Sequence, residues 1–498
     1  MSAPDLVLAL DLGTTANRAL LVDHRGRVFA QAHREFPQHY PAPGWVEHDP
    51  MELWRCAQAV LNEVLREVDP ERVACLGIAN QRETTLLWER ATGRPVANAI
   101  VWQDRRTAPM CEAFAAQCHI IRQRTGLPLD PYFSATKIRW LLDEVPGLED
   151  RARAGEIAFG TVDSWALWQL TGGKVHATDP GNASRTLLFN LVLHGFDREL
   201  LDLFGIPAEI LPEIRQSGDD FGVTEARLTG GRAIPIAGVM GDQQAALFAQ
   251  GGWQPGIVKN TYGTGLFLLT ATGNSPIDPG DLVATVAWEL GGRTTYALEG
   301  SVFVGGAAIQ WLRDGLGILP TAAAAEELAR RLASNEGVYF VPALAGLGAP
   351  YWDPDARGLI TGLTRGTRPE HLARAALEAI AYQTRDVVDE MAGLTGSPPN
   401  LLRVDGGATA SDLLMQFQAD ILDIPIERPA LLETTALGAA GVAGLTTGFW
   451  PDAESFLAAH RVERLFAPQM PAPERERLYA GWQQAVARTL SDTGAEGP

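Results

Sequence analysis

Asp11–Arg18 reads DLGTTANR. An apolar run, Leu6 to Leu10, precedes it and a second, Ala19 to Val22, follows. The segment therefore reads as strand, tight turn, strand. Gly13 lets the backbone approach a ligand closely, and Thr14, Thr15 and the free amides beside them can donate to phosphate oxygens. Asp11 stands where the first strand ends, a position suited to a carboxylate that holds hydrated Mg2+. Arg18 adds a planar cationic fork. An ordinary hairpin turn with an acidic end fits these eight residues equally well. The rest of the chain decides between the two.

The chain has 498 residues, too many for one core, and length alone suggests roughly two to four domains. With 46% hydrophobic and 20% charged residues it is globular in composition. Asp plus Glu is 60 against 41 Lys plus Arg, a net charge of −19 with no basic run. Nucleic acid and anionic membranes are therefore not expected as partners. Phosphate chemistry must rest on local amides, a few arginines and a metal. Four cysteines in so long a chain form no disulfide framework, and Cys111 and Cys118 lack a zinc spacing. They read as buried or helix-face thiols in a reducing compartment. The N-terminus lacks the basic start and apolar core of a signal peptide, and no apolar run reaches membrane-spanning length. A cytoplasmic protein with no membrane insertion is expected.

After the opening hairpin comes a Pro/Gly-rich loop, PAPGWVEHDP, at 41–50. Asp49, Pro50 and Glu52 have the order of a helix start, with an acidic cap, proline at the first position and glutamate at the third. That helix is expected to reach about Val68. Val73–Ala79 reads as a strand that ends in NQRETT, with Arg82 and Glu83 side by side. Trp88–Ile100 reads as a hairpin about Thr92 and Gly93. VWQDRRT leads into one helix through about Arg122, and DPYFSATK into another. Strands and helices alternate, which predicts an α/β fold. The stretch 151–235 carries no clear pattern.

At Ile234–Val239 a strand reappears and runs into GDQQAALFAQG, placing Asp242 at a strand end before a helix of small residues. From Val258 the opening pattern returns in IVKNTYGTGLFLLT, with Thr264 in the place of Thr14. A hairpin repeated in two halves implies two related domains facing each other, 1–250 and 251–498, with the junction within 245–257 and GGWQPG as linker. The second half continues with a helix over 304–316 and a long helix over 369–393. LLRVDGGATAS then reads as strand, Gly-Gly turn and helix. TTALGAAGVAGL reads as a helix of small residues suited to close packing. The tail after about Leu490 is expected to be disordered.

Three glycine-bearing turns now stand out: DLGTT, YGTG and VDGGA. None carries the lysine of a P-loop, which excludes that fold. Two phosphate hairpins and a third turn at a helix start are the parts of an actin-like ATPase, built of two ribonuclease-H-like domains with a cleft between them. Taken with PGWVEHDP, NQRETT, NAIVWQDRRT, DPYFSATK, GDQQAALF, KNTYGTG and GLGAPYWDP, the sequence resembles the FGGY carbohydrate kinases. Within that family it is similar to the members that phosphorylate glycerol. The resemblance spans roughly residues 6 to 485.

A pocket for a small triol needs donors, acceptors and an apolar wall, and a site built to hydrogen-bond hydroxyls rejects analogues that lack them. Arg82 can donate to two hydroxyls, Glu83 can accept, and Asp242 and Gln243 can take the others. Trp102 and Phe267 can cover the CH faces. The resemblance implies that Arg82, Glu83, Tyr132, Asp242 and Gln243 bind the polyol, with Trp102 and Phe267 as walls. Arg82–Glu83 as a surface ion pair, Tyr132 as a loop anchor and Trp102 as core are the plainer alternatives. Gln244 reads as structural. Phosphoryl transfer needs an acceptor oxygen in line with the γ-phosphate, charge neutralisation, and a base for the hydroxyl proton. Asp242 is expected to be that base and to help hold Mg2+ through water; a cap on the following helix is its plainer alternative, compatible with that role.

On the nucleotide side the resemblance implies that Thr14, Thr15, Ala16, Arg18 and Thr264 meet the phosphates of ATP. Gly306 and Gln310 are implied near the phosphates or ribose, Gly407 and Ser411 near the adenosine, and Asp11 on Mg2+ through water. The chain departs from the usual family pattern at Leu12, Ala16, Asn17 and Ser411, which bears on the tightness of the nucleotide contacts. Some relatives bind a sugar bisphosphate on a Gly/Arg loop. Gly230, Gly231 and Arg232 are similar, with the arginine out of register. No histidine lies between His194 and His371, so control by histidine phosphorylation there is not expected. The resemblance implies Mg-ATP-dependent phosphorylation of glycerol to sn-glycerol 3-phosphate, with a homo-oligomer, dimer or tetramer, as the assembly. A kinase of another small polyol or sugar, an actin- or chaperone-like ATPase with no small acceptor, and a catalytically dead scaffold remain as rivals. Asp11, Arg18 and Asp242 speak against the last.

Overall fold

In the computed structural model, residues 4–458 and 461–491 are described; the expected disordered tail, at 492–498, lies outside them. The opening hairpin forms as its apolar runs require. β1 (Leu6–Leu12) and β2 (Ala16–Asp23) pair antiparallel, from Leu6 opposite Asp23 to Leu12 opposite Asn17. All seven β1 residues are buried because a strand lies on each side of it and layers cover both faces. β3 (Val28–Glu35) pairs antiparallel with β2. β4 (Val73–Asn80) runs parallel to β1, and β5 (Ile236–Gly241) parallel to β4. The order is β5-β4-β1-β2-β3.

The second sheet has seven strands. β6 (Ile257–Tyr262) and β7 (Leu266–Gly273) form the second hairpin. β8 (Val283–Leu290) and β9 (Arg293–Val302) follow, then β10 (Leu401–Asp405), β11 (Ile426–Pro429) and β12 (Val462–Phe466). Their order is β8-β9-β7-β6-β10-β11-β12. Without the flanking β8 and β12, the five strands β11-β10-β6-β7-β9 repeat the order and directions of the first sheet. The duplication read from two hairpins thus extends to five strands. The fold is α/β, with two ribonuclease-H-like halves.

Helix α1 (Pro50–Leu65) starts where its cap signal stands: the Asp49 carboxylate accepts from the amides of Met51 and Glu52, a device worth about 1 kcal/mol. It ends three residues short of Val68. α2 (Ser134–Glu144), α3 (Asp242–Ala249), α4 (Pro369–Thr395) and α5 (Asp412–Leu422) fall where the patterns put them. Other expectations need correcting. The Trp88–Ile100 hairpin survives only as isolated bridges, Trp88 with Pro95 and Thr85 with Ile100. Leu86–Glu89 instead ladders with Ile157–Gly160, from the unread stretch. The helix after Thr107 is broken into Ala108–Ala113, a 3-10 turn and Cys118–Thr125. The helix over 304–316 is one turn, Ala307–Gln310, followed by a π-helical turn, Trp311–Gly315.

Helix α6 (Thr434–Thr446) explains its small residues. It lies on the first sheet, against β1, β4, β5 and α3. A Cβ on Gly77 would stand 2.0 Å from the Ala439 carbonyl oxygen, and one on Gly438 1.9 Å from that of Ala245. Backbones in such contact admit only glycine. A division at residue 250 therefore separates the two sheets but not the packing, since α6 returns to cover the first. The four cysteines are free, Cys56, Cys75 and Cys111 buried and Cys118 exposed. Among the described residues no helix is long and apolar enough to cross a membrane.

Candidate active site

β1, β4 and β5 are parallel neighbours, and Leu12, Asn80 and Gly241 stand in register at their carboxyl ends. The residues that follow must emerge together there, where open parallel sheets bind ligands. Asp11, Arg82, Glu83 and Asp242 meet at this edge. Gly241 makes room: a Cβ there would come within 2.7 Å of Arg82 Cδ. Glu83 sits at φ 59°, an unusual conformation for a side-chain-bearing residue of the kind found at functional sites. Its carbonyl accepts from the hydroxyls of Thr85 and Ser134, both at 3.0 Å.

Arg82 is buried, not a surface partner of Glu83. Its Nε lies 3.3 Å from Asp242 Oδ1 and 3.9 Å from Glu83 Oε1, and its Nη1 donates to Gln244 Oε1 at 3.2 Å. Gln244 also donates to the Gly181 and Val286 carbonyls, so it is structural. Burial raises the Asp242 carboxyl above the usual range, with Arg82 and Lys259 opposing. Burial, with Asp242 adding to it and Arg18 opposing, pushes Asp11 up to about 6. Arg18 lies 3.5 Å from Asp11. Asp242 does not cap the following helix. Gly241 occupies that place, and Asp242 accepts only from the next amide, Gln243 N, at 2.7 Å. Its side chain keeps 25% of its surface exposed, enough to meet a ligand. The side-chain Oε1 of Gln243 accepts from buried Lys259 Nζ at 2.5 Å, which turns the side-chain amide nitrogen toward donation elsewhere.

The aromatic residues adjoin this group through Tyr132, which lies beside Arg82 and Glu83. Trp102 packs edge-on to Tyr132 at 5.6 Å and to Phe267 at 6.1 Å. Trp102 and Tyr132 come from the first domain, Phe267 from β7 of the second. Trp102 Nε1 donates to Thr14 Oγ1 at 2.9 Å, so this wall is tied to the first glycine turn and is not core.

That turn is closed by Gly13 N to the Ala16 carbonyl. Thr15 is exposed, Thr14 and Arg18 half-buried, Ala16 buried. Asn17 faces the other way, fully buried, and donates to the Leu53 carbonyl of α1 at 3.0 Å. The second turn, Gly263–Gly265, docks on the start of the Ala307–Gln310 helix. Thr264 O accepts from Gly305 and Ala307, and Gly263 O from Gly306. Thr264 and Gln310 are exposed. The third turn adjoins the second because β6 and β10 are parallel. Gly406 (φ 89°) has the Tyr262 carbonyl 2.5 Å from where a Cβ would stand. Gly407 is exposed, while the Ser411 hydroxyl caps α5 by accepting from Leu414 N. Arg232 is tied down within its own half, donating to the Pro70 and Val73 carbonyls at 2.7 and 2.9 Å.

Sequence reasoning missed Arg185, Lys259 and Glu299. Arg185 Nε donates to Glu83 at 2.6 Å, and Glu299 takes a bidentate grip on Arg82. Lys259 and Glu299 are fully buried in mid-strand, where a charge needs a partner, but the polar residues that share those strands hide the signal in the sequence. Arg185 left no signal.

Residues 6–249 match the N-terminal domain of the FGGY family of carbohydrate kinases, and residues 258–447 its C-terminal domain. The chain belongs to the FGGY family of carbohydrate kinases. This FGGY kinase is 54% identical to glycerol kinase 2 of Thermotoga maritima over 97% of its own length and 98% of that protein's. It is also 54% identical to the glycerol kinase of Halorhodospira halophila, over 97% and 96%. Among solved structures, the Plasmodium falciparum glycerol kinase with ADP superposes with a TM-score of 0.92 at 34% identity, covering 98% of both chains. Gluconate kinase from Lactobacillus acidophilus, at 23% identity and TM-score 0.87, shares the fold.

Proposed function

We propose that this FGGY kinase transfers the γ-phosphoryl group of ATP to a terminal hydroxyl of glycerol, giving sn-glycerol 3-phosphate and ADP. The observation that carries the reading is the grouping of Arg82 Nε, Glu83 and Asp242 at one sheet edge beside Tyr132, whose ring packs on Trp102 and through it on Phe267. Its polar groups match three hydroxyls and its rings match a short carbon chain. Relatives named glycerol kinase at 54% identity over nearly the whole chain support the same acceptor.

Arg82 and Glu83 orient the acceptor, with Tyr132 and Gln243 completing its hydrogen bonds. Asp242 takes the hydroxyl proton, and burial makes it a stronger base than a free carboxylate. Thr14, Thr15, the Ala16 amide, Arg18 and Thr264 hold the phosphates from both halves. Gly306, Gln310, Gly407 and Ser411 border the nucleoside. Asp11 and Asp242 suit Mg2+: Asp11 is buried, the Asp242 carboxylate helps to raise its pKa, and a divalent cation would relieve that. Such an ion would keep most of its water and use one or two carboxylates beside the phosphates. Bound there, it would neutralise charge developing on the phosphates. The two halves form domains divided near residue 250. The proposal extends to a cytoplasmic homo-oligomer, dimer or tetramer, readable by light scattering on the assayed preparation.

The test is ADP release with glycerol, erythritol, xylulose, gluconate or no acceptor, with and without Mg2+, for the wild type and Asp242→Asn. Glycerol-selective release that needs Mg2+ and falls at least ~100-fold in the variant is expected. Equal release without acceptor would replace the kinase by an ATPase. Preference for a larger polyol would keep the chemistry and overturn the acceptor.

A further inference from the structure

Four charged side chains are sealed at the proposed acceptor site. Arg82, Glu83 and Arg185 come from the first domain and Glu299 from β9 of the second, each with 2% or less of its side chain exposed. Glu299 Oε2 accepts from Arg82 Nη1 at 2.5 Å, and Oε1 from Arg82 Nη2 at 2.9 Å and Arg185 Nη2 at 3.0 Å. Arg185 Nε in turn holds Glu83 Oε1 at 2.6 Å. Both terminal nitrogens of Arg82 thus reach the opposite domain, Nη1 donating to Gln244 of its own domain as well, and its Nε is left facing Asp242.

We propose that Glu299 is a positioning residue for the acceptor pocket, clamping Arg82 and Arg185 from across the domain interface so that Arg82 and Glu83 present fixed geometry to the substrate hydroxyls. Burying two ion pairs costs desolvation that their attraction scarcely returns, so stability gives little reason for the arrangement. Orientation gives one, because a bidentate carboxylate–guanidinium pair fixes a plane as well as a distance. Two guanidinium groups share this one carboxylate, and its ionised form is favoured: burial opposes ionisation, yet Arg185 and Arg82 together hold its pKa down at about 2. Without that charge Arg82 has a free fork, and Asp242, already 3.3 Å from its Nε, is the carboxylate within reach. A guanidinium turned onto Asp242 fills the space a hydroxyl needs. The acceptor pocket is therefore set by both domains, although the residues that line its polar floor belong to the first.

This inference rests on the glycerol reading, and the wild-type acceptor panel judges that reading by itself. The test of Glu299 uses Glu299→Gln and Glu299→Asp in the full chain, with KM for ATP and for the acceptor the wild type turns over. Circular dichroism and melting temperature serve as checks of folding. Glu299→Gln is expected to raise the acceptor KM at least ~10-fold while the ATP KM stays within ~3-fold. Glu299→Asp keeps the charge but withdraws it by one methylene, and is expected to raise the acceptor KM by an intermediate factor, since positioning is sensitive to shifts of this size. Should Glu299→Gln fail to fold, the aspartate variant decides alone. A lowered melting temperature with unchanged acceptor KM, or both KM values rising together, would overturn the assignment.

Discussion

The indole Nε1 of Trp102 donates to Thr14 Oγ1 at 2.9 Å, joining the acceptor wall to the first glycine turn. One side chain thereby touches both halves of the proposed reaction: its ring faces Tyr132 and Phe267, and its N–H fixes the Thr14 hydroxyl beside the phosphate turn.

Trp102→Phe keeps an aromatic face and removes that hydrogen bond. The acceptor KM and the ATP KM are both expected to rise, each by about 3- to 10-fold, as the loss of one part-buried hydrogen bond implies. Initial-rate kinetics with both substrates varied would check this. A rise in the acceptor KM alone would mean that the Thr14 contact has no part in nucleotide binding.

Asn17 settles a question that the sequence raised. It is one of the places where the chain departs from the usual family pattern, yet it points away from the turn and donates to the Leu53 carbonyl in the core. Asn17→Ala should leave the ATP KM within ~2-fold and lower stability by roughly 0.5–1.5 kcal/mol, the worth of one buried hydrogen bond, because the Leu53 carbonyl, inside α1, keeps its helical partner. Denaturant titration beside steady-state kinetics separates the two effects. Alternation along a strand is the reason: Ala16 and Arg18 share one face of β2 and Asn17 takes the other.

The legible parts of this protein were those in which local pattern and tertiary role agree. The two hairpins, the Asp49 cap and the long α4 helix are written in apolar period and capping residues, and they formed where expected. So did the meeting of Arg82, Glu83 and Asp242, because parallel strands bring their carboxyl ends together. What could not be read depends on partners far along the chain. Glu299 finds Arg82 across 217 positions, and Leu86–Glu89 finds Ile157–Gly160, neither of which leaves a periodic trace. The helix expected over 304–316 broke because the amides of Gly305 and Gly306 are drawn onto the second glycine turn, at Thr264 and Gly263, a demand of that turn and not of the helix. Ser411 was placed beside the nucleoside by resemblance, but locally its hydroxyl serves as a helix cap.

The glycine at position 77 tests the packing of α6 on the first sheet. A methyl there would meet the Ala439 carbonyl oxygen at 2.0 Å and its carbon at 2.5 Å, and both are backbone, which cannot step aside as a side chain does. Gly77→Ala is expected to cost at least ~3 kcal/mol, the upper end of overpacking, and to show as loss of soluble protein or a large drop in melting temperature. An alanine variant of ordinary stability would mean that α6 does not hold this seat.

His48 gives the pH dependence a sign. It is fully buried, and its Nε2 lies 2.7 Å from Gln38 Oε1. The Gln38 amide nitrogen is spent on the Phe36 carbonyl, so its oxygen accepts and His48 Nε2 carries the hydrogen. Nδ1 then accepts from Gln81 Nε2 at 3.4 Å, while the same amide reaches the Gly13 carbonyl at 3.0 Å. Burial lowers the imidazole pKa to about 3, with His39 adding to it, against 6.5 when unfolded. Between those values the unfolded chain binds a proton that the folded one does not. The contribution of His48 to stability is thus complete above pH 6.5 and declines as the pH falls toward 3, by about 1.4 kcal/mol for each unit. Asp11 and Asp386, both raised to about 6 by burial, and Asp179, raised to about 7, act in the opposite direction. The total therefore hides the histidine, and a comparison reveals it. Urea unfolding of the wild type and His48→Gln at pH 7.5, 6.0 and 5.0 should show the wild type losing stability relative to the variant at each step down. Parallel curves would mean that His48 takes up its proton in the folded state, and that the Gln81–Gly13 link beneath the phosphate turn does not require the neutral ring.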